Sequence, residues 1–103
     1  MIGVLTQHWA GEGLVAAART LLDGNGLAQS RAPGFVRRET LYSLADPAKI
    51  TTLVLWDTAE HYDAWRASPE RASAMAGADE LWSRPPESER FEVAAAREVS
   101  EDR

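Results

Sequence analysis

The chain has 103 residues, a formal net charge of −5 and no cysteine. One domain is expected, because two domains of half this length would each bury too little apolar surface. An acidic chain without a run of Lys or Arg is a poor ligand for nucleic acid or anionic membranes. The lack of cysteine excludes disulfides, thiolate nucleophiles and thiolate metal sites. The N-terminus shows neither a basic leader nor a long apolar stretch, so we expect a soluble, cytoplasmic protein.

The first third of the chain is typical of a strand followed by a helix. Residues 2–9, IGVLTQHW, are β-prone and end before a glycine. The following apolar residues recur at the spacing of one helix face: Leu14, Val15, Ala18, Leu21 and Leu22. The triplet Gly24-Asn25-Gly26 predicts the end of this helix, with room for one further turn before Pro33-Gly34.

Two strands are predicted in the middle of the chain. Residues 35–43, FVRRETLYS, have two mixed faces, whereas residues 50–56, ITTLVLW, are the continuous apolar run of a strand covered on both sides. Asp46-Pro47 marks the turn between them, so the pair should form an antiparallel hairpin. The strand at residues 35–43 carries three charged residues, which most simply lie at a sheet rim or a subunit interface: Arg37, Arg38 and Glu39.

The last third is predicted to add helices and a final strand. Asp57 and Glu60 form a capping box, which starts a helix that runs to about Ser68-Pro69. A second helical piece is expected over residues 70–82 and a polar loop over residues 83–89, SRPPESE. The final strand is predicted at residues 91–99, which ends a single domain of residues 1–99 before a frayed tail, residues 100–103.

The order of elements is therefore β-α-β-β-α-β. This order is that of an α+β, ferredoxin-like fold, a four-stranded antiparallel sheet with both helices on one face. The apolar run at residues 50–56 predicts that the bare face of the sheet is also apolar and must be covered. We expect a homodimer that packs two sheets face to face into a dimeric α/β barrel.

The stretch WDTAEHYDAWRASPE, residues 56–70, resembles the antibiotic biosynthesis monooxygenase (ABM) family. The resemblance lies in four residues. A strand ends in Trp, and a hydroxyl residue, an aromatic residue and a second Trp follow two, six and nine positions after that first Trp. The matching residues are Trp56, Thr58, Tyr62 and Trp65, followed by Ser68. Pro33-Gly34-Phe35 is also similar to the start of that family's second strand, and the order of elements agrees from residue 1 to residue 99.

The resemblance implies a cofactor-independent monooxygenase. Members of this kind remove a proton from an anthrone or hydroquinone-type substrate, and the carbanion gives an electron directly to O₂. Such chemistry needs a dry apolar pocket, a proton acceptor and donors to the enolate oxygen. By this resemblance the pocket lies between helices and sheet and takes a small aromatic or polyketide-like substrate. Trp65 would point into it, with further lining from Tyr62, Phe35, Met75 and Arg84.

Two positions are candidates for the proton acceptor, and at one of them the sequence departs from the family pattern. The family's Asn, one turn before the helix Trp, falls at His61, whose imidazole can also act as a base. A first-strand residue is a second candidate, and it is Gln7 or His8, since the register is open by one position. Only one of these two can face the pocket, and Gln7 is the preferred choice.

Haem degradation and metal chemistry are disfavoured. Haem-degrading relatives carry an iron ligand ten positions after the helix Trp, where this chain has Met75. The two histidines of the chain lack the spacing of a helical zinc site. Residues 11–16, GEGLVA, match a dinucleotide fingerprint, but Glu12 would repel a pyrophosphate and the chain is too short for a doubly wound sheet. We therefore expect no cofactor and no metal.

Each site residue also has a plain structural explanation. Trp65 could be core, His61 a solvated histidine near a helix start, and Arg84 a surface arginine. The alternative function is accordingly a non-catalytic dimeric α/β barrel that binds a small apolar ligand or simply pairs with itself. The enzyme requires His61 or Gln7 to converge on the cavity beside Trp65, whereas the binding protein does not.

Overall fold

A computed structural model describes residues 1–98 of the chain. Its elements in chain order are β1 (Ile2–Ala10), α1 (Val15–Gln29), β2 (Phe35–Tyr42), β3 (Lys49–Trp56), α2 (Ala59–Arg66), α3 (Pro69–Ala74), a short 3-10 helix (Ala78–Leu81) and β4 (Trp82–Glu92). The four strands form one sheet in the order β2-β3-β1-β4, and each neighbouring pair is antiparallel. The predicted ferredoxin-like β-α-β-β-α-β fold is confirmed.

The helices cover one face of the sheet, and the core lies between the two layers. Side chains alternate along β1 and β3, so the even-numbered residues point toward the helices. One core cluster joins Val4, Val54 and Trp56 to Trp65 of α2. A second core cluster joins strand residues to α1: Ala10, Ile50, Ala18 and Leu22. The fully buried Trp56 and its neighbours fix the distance between α2 and the sheet.

Helix α1 continues through Gly24-Asn25-Gly26, so the predicted end at this triplet is wrong. The buried stripe of α1 has regular helical spacing and extends past the triplet: Ala18, Leu22, Asn25 and Gln29. Tertiary contacts override the unfavourable propensity of the two glycines. A side chain at Gly26 would meet the guanidinium of Arg38, with its Cβ 2.6 Å from Arg38 Nε. Glycine is therefore needed where the arginine crosses the helix.

The predicted boundaries of α2 are close to those observed. The helix begins with Thr58 as its N-cap, whose hydroxyl accepts a hydrogen bond from the backbone N–H of His61. The predicted capping box of Asp57 and Glu60 is therefore shifted by one residue. The break at Ser68-Pro69 is confirmed, because α3 begins at Pro69 with Ser68 as its N-cap. After this break, α3 packs against α1.

The last strand lies earlier in the chain than predicted. β4 occupies Trp82–Glu92, so the polar segment 83–89 is a strand and not a loop, and residues 93–98 have no regular secondary structure. Pro85 and Pro86 are tolerated because β4 is an edge strand, and the register shifts there between Gln7 and Trp9 of β1. Residue 99 and the predicted tail, residues 100–103, lie outside the described residues.

The face of the sheet opposite the helices carries apolar side chains. Leu5, Leu53 and Leu55 occupy its centre on β1 and β3, and each is half-buried. Leu41 and Phe91, on the outer strands, are 49% and 43% exposed. We call this surface the open sheet face. It carries the apolar character that the sequence predicted for the bare face.

Candidate functional site

A narrow internal cavity, the inner chamber, lies between the sheet and the helices and has a volume of about 80 Å³. The sheet supplies its floor, Val4, Thr6, His8, Thr52 and Val54. The stripe of α1 supplies Leu22, Asn25 and Gln29, and the other walls are Arg38, Tyr62, Trp65, Arg71 and Met75. The chamber is therefore lined by several polar groups at a depth where the rest of the layer is apolar.

A larger cavity, the outer chamber, adjoins the first and has a volume of about 440 Å³. The two chambers share five lining residues: Thr6, His8, Tyr62, Arg71 and Met75. β4 closes the outer chamber with Trp82, Pro86 and Ser88. Its volume falls within the roughly 300–1,000 Å³ of small-molecule sites. The two chambers form a continuous site. Its wide outer part has the rings of Tyr62 and Trp82 beside the charged residues Arg66, Arg71 and Asp79, and its inner part is narrow and polar.

His8 stands at the junction of the two chambers. Its side chain is buried, its ring lies 4.9 Å from the ring of Trp82, and its Nδ1 is 3.1 Å from the carbonyl oxygen of Ile50. Because a carbonyl oxygen only accepts hydrogen bonds, Nδ1 carries the proton. Burial lowers the pKa of His8, partly offset by the bond to Ile50, and the charge of Arg38 lowers this pKa further. His8 is thus a neutral imidazole whose Nε2 lone pair is free to accept a proton.

Trp65 forms the wall between the inner chamber and a third cavity. The ring of Trp65 is almost fully buried and stacks on Trp56, with 6.5 Å between the ring centroids. The ring of Tyr62 lies 5.7 Å from that of Trp56. The third cavity, the surface cleft, has a volume of about 560 Å³ and runs between the end of α1 and α2. Its lining is Ala28, Arg31, Ala32, Pro33, His61, Ala64, Trp65, Ser68 and Glu70.

His61 faces the surface cleft and not the inner chamber. Its Nδ1 lies 2.6 Å from Asp57 Oδ1 and 3.2 Å from Thr58 Oγ1. The hydrogen bond from His61 lowers the pKa of Asp57. Both side chains are exposed, 43% for His61 and 49% for Asp57, so solvent screens this pair. His61 and Trp65 do line one cavity together, as the sequence required of an enzyme, but that cavity is the open cleft.

Three predicted site residues lie elsewhere. Gln7 points to the open sheet face, because alternation places it opposite Thr6 and His8, so the preference for Gln7 over His8 is wrong. Arg84 also lies away from the chambers. Its guanidinium lies 3.8 Å over the ring of Trp9 and forms an ion pair with Glu87 at 2.7 Å on the open sheet face. Phe35 packs edge-on against Trp56 at 5.9 Å and lines none of the three cavities.

Tyr62 and Met75 lie where the sequence predicted, in both chambers. Six polar residues of the inner chamber were not predicted: Thr6, Asn25, Gln29, Arg38, Thr52 and Arg71. For Asn25 the signal was present, since it continues the apolar stripe of α1 by one helical turn. For Arg38 the sequence held no such signal, because both faces of β2 carry charged as well as apolar residues. Within residues 1–98, no group of three or more His, Cys, Asp or Glu could hold a metal ion.

The described part of the chain contains no helix long and apolar enough to cross a membrane. The cytoplasmic location stays a prediction.

The βαββαβ order and the antiparallel sheet with its helices on one face define an α+β, ferredoxin-like fold. Three solved structures share this fold with the chain. SnoaB, a cofactor-independent oxygenase from Streptomyces nogalater solved as a variant, has a TM-score of 0.83 at 16% identity, with 92% of this chain and 94% of that chain covered. Rv0793 from Mycobacterium tuberculosis has a TM-score of 0.80 at 20% identity, with coverage of 96% and 98%. NE2512 from Nitrosomonas europaea, of unknown function, has a TM-score of 0.81 at 21% identity, with coverage of 96% and 94%.

The sequence itself gives the family. The model of the antibiotic biosynthesis monooxygenase (ABM) family matches residues 1–77, three quarters of the chain, and the chain belongs to that family. No curated protein matches the sequence.

Proposed function

We propose that the protein is a cofactor-independent monooxygenase that oxidises a small aromatic substrate of the anthrone or hydroquinone type with O₂. The observation that carries the proposal is His8, a buried and neutral imidazole with a free Nε2 at the junction of two connected chambers. A neutral base in an aromatic cavity is the group that proton removal from an acidic C–H requires. Family membership and the likeness to SnoaB support the same reaction class.

The chemistry follows from the positions of the groups. His8 Nε2 accepts a proton from the substrate's activated CH₂ group, and the resulting enolate lies beside the guanidinium of Arg71, which lines both chambers. The carbanion transfers one electron to O₂, and the two radicals combine into a peroxide on the same carbon. The peroxide loses water as His8 returns its proton. The CH₂ group becomes C=O, one oxygen atom enters the product and the other leaves as water.

The aromatic and thioether side chains of the chamber walls support this reaction by excluding water. Tyr62, Trp65 and Met75 separate the reacting carbon from bulk solvent, which protects the carbanion from reprotonation. His61 is a second candidate base, because it faces the same tryptophan from the surface cleft. Its exposure places it in water, whereas His8 is buried, and we therefore assign the proton transfer to His8.

Oxygen uptake with the anthrone dithranol, measured on chelator-treated protein, tests the proposal. His8→Asn is the informative variant, because an asparagine amide can still donate to the Ile50 carbonyl but has no basic nitrogen. We expect uptake to fall by roughly 100-fold or more, the range of a lost general base. His61→Ala should retain most of the activity. A large loss in His61→Ala with little loss in His8→Asn would move the reaction to the surface cleft.

The alternative function is a non-catalytic barrel that binds a small apolar ligand. The favouring observation is the inner chamber, whose volume of about 80 Å³ is too small to hold an anthrone by itself. Uptake no faster than buffer in wild type and variants, combined with saturable binding of dithranol, would support this alternative.

We also propose that a second copy of the chain covers the open sheet face. The leucines at the centre of this face, Leu5, Leu53 and Leu55, form a contiguous apolar patch, and such patches mark interaction surfaces. The charged residues around it, Arg37, Glu39, Arg84 and Glu87, have the mixed signs of a polar interface rim.

A further inference from the structure

The inner chamber carries positive charge without a compensating acid. Arg38 and Arg71 both line it, and its lining includes no Asp or Glu within residues 1–98. Neither guanidinium forms an ion pair in the described part of the chain, although five such pairs occur elsewhere. Both side chains are half-buried, and a cation partly removed from water is usually paired, because its transfer out of water is costly. In a protein whose net charge is −5, two cations that converge on one cavity need an explanation.

Arg38 is held in place by neutral groups only. Its Nη1 donates to Gln29 Oε1 at 2.9 Å, and its Nη2 donates to the carbonyl oxygen of Leu22 at 2.9 Å. Gly26 leaves the space in which the guanidinium crosses α1. Burial lowers the pKa of Arg38, and Asp23, an exposed residue on α1, raises it in part. The side chain is thus fixed, and its charge is not neutralised by a contact.

Asn25 supplies an independent observation at the same cavity. Its side chain is buried, with 7% exposure, and its Oδ1 has no hydrogen-bond partner among the described residues. A buried acceptor without a hydrogen-bond partner destabilises the folded state. A leucine or alanine would continue the apolar stripe of α1 without that cost. The Oδ1 of Asn25 is therefore available to accept a hydrogen bond from a ligand in this cavity.

We propose that the inner chamber binds the carboxylate of a hydroxylated aromatic acid whose rings occupy the outer chamber. This names the ligand class of the site in the proposed function and rests on that function. Arg38 faces the carboxylate, Arg71 adds positive charge where the two chambers meet, and the neighbouring hydroxyl donates to Asn25 Oδ1. Guanidinium groups match the planar carboxylate in charge and geometry. The volume of about 80 Å³ suits this small group, and the outer chamber, at about 440 Å³, suits two fused rings.

Calorimetric titration of the full chain with two matched probes tests the inference. The probes are 3-hydroxy-2-naphthoate and its uncharged analogue, 3-hydroxy-2-naphthamide. We expect wild type to bind the naphthoate at least tenfold more tightly. Arg38→Met should reduce this preference to less than threefold. Equal affinity of wild type for the two probes would overturn the inference, as would a preference that survives in Arg38→Met.

Matched controls keep the result interpretable. Arg37→Met removes the same charge from the neighbouring residue of β2, which faces the open sheet face, and should keep the full preference. 2-Naphthoate lacks the hydroxyl group and should bind more weakly than 3-hydroxy-2-naphthoate in wild type but not in Asn25→Leu. Inorganic phosphate is included as the other oxyanion that arginines bind. Binding of phosphate more tightly than naphthoate would overturn the assignment to an aromatic acid. If Arg38→Met does not fold by circular dichroism, the wild-type preference and the Asn25→Leu comparison decide the matter.

The titration is done without turnover, so the two proposals fail separately. A clear preference for naphthoate with no oxygen uptake on any anthrone would leave the carboxylate site in place and remove the oxygenase. Oxygen uptake that depends on His8, with no preference for naphthoate, would leave the oxygenase and remove the carboxylate site.

Discussion

His8 Nδ1 lies 3.1 Å from the carbonyl oxygen of Ile50, the residue directly opposite it on β3. This bond sets the tautomer and orients the ring, so Nε2 is the nitrogen available to the two chambers. The register of β1 against β3 therefore decides which side chain of β1 faces the chambers and can accept a proton. A shift by one residue would bring Gln7 to the helix side and His8 to the open sheet face.

Burial of the His8 imidazole should make the free energy of unfolding depend on pH. Because burial lowers the pKa of His8 in the folded state below its ordinary value of 6.5, the unfolded chain binds the proton first as the pH falls. The stability associated with neutral His8 is complete above pH 6.5 and is lost as the pH falls below it. We expect the free energy of unfolding, measured by urea titration, to decrease from pH 7.5 to pH 5.

His8→Asn provides the comparison for this effect. The variant cannot take up the proton, so its unfolding free energy should change less over the same range. Asp57, whose pKa is lowered from 3.8, loses its stabilising contribution only at more acidic pH and does not interfere. Parallel pH profiles for wild type and variant would contradict a lowered pKa for His8.

Two leucines of α1 test the position of the core. Leu22 is 1% exposed and belongs to the core cluster with Ile50, whereas Leu27 is 62% exposed. Leu22→Ala should destabilise the protein by roughly 2–5 kcal/mol, the usual cost of a buried leucine, and Leu27→Ala by less than about 0.5 kcal/mol. Urea unfolding of both variants at pH 7.5 measures the difference. Similar losses for the two leucines would contradict the observed orientation of the helix.

Two glycines of the same helix give a second matched pair. A Cβ on Gly24 meets nothing within 4 Å, so Gly24→Ala should stabilise the helix by roughly 0.5–1 kcal/mol. A Cβ on Gly26 would lie 2.6 Å from Arg38 Nε, so Gly26→Ala must displace the guanidinium and should lose that gain. Thermal and urea unfolding of both variants compares them. A stabilising Gly26→Ala would show that Arg38 does not cross the helix at this residue.

The sequence predicted the order of elements because its strongest signals are local. The capping box predicted near the start of α2, the Ser68-Pro69 break and the apolar run of β3 each depend on a few neighbouring residues. The two errors in secondary structure have tertiary causes. Gly26 is accommodated inside α1 because Arg38 packs over it, and Pro86 is accommodated in β4 because that strand is at an edge.

The site was predicted less completely than the fold, because the sequence does not specify which residues of β1 face the helices. Trp65, Tyr62 and Met75 were predicted from the resemblance and line the chambers. The choice between Gln7 and His8 depends on one position of β1, and an alternating pattern in which both faces are partly apolar does not specify it. Arg38 reaches the chamber from β2, whose residues are mostly exposed or half-buried, so its burial depends on a contact across the fold with Gln29.

The open sheet face should control assembly. Leu53 and Leu55 lie at its centre on β3, so Leu53→Glu or Leu55→Glu would place a charge within the proposed contact between two sheets. We expect either variant to sediment as a monomer at a concentration at which wild type sediments as a dimer. Leu44→Glu is the control, because Leu44 lies between β2 and β3 and is fully exposed, at 105%. It should leave the dimer intact, since it adds the same charge away from the open sheet face. Dimers in all three variants would show that another surface holds the two copies together, and a monomeric wild type would remove the proposed dimer.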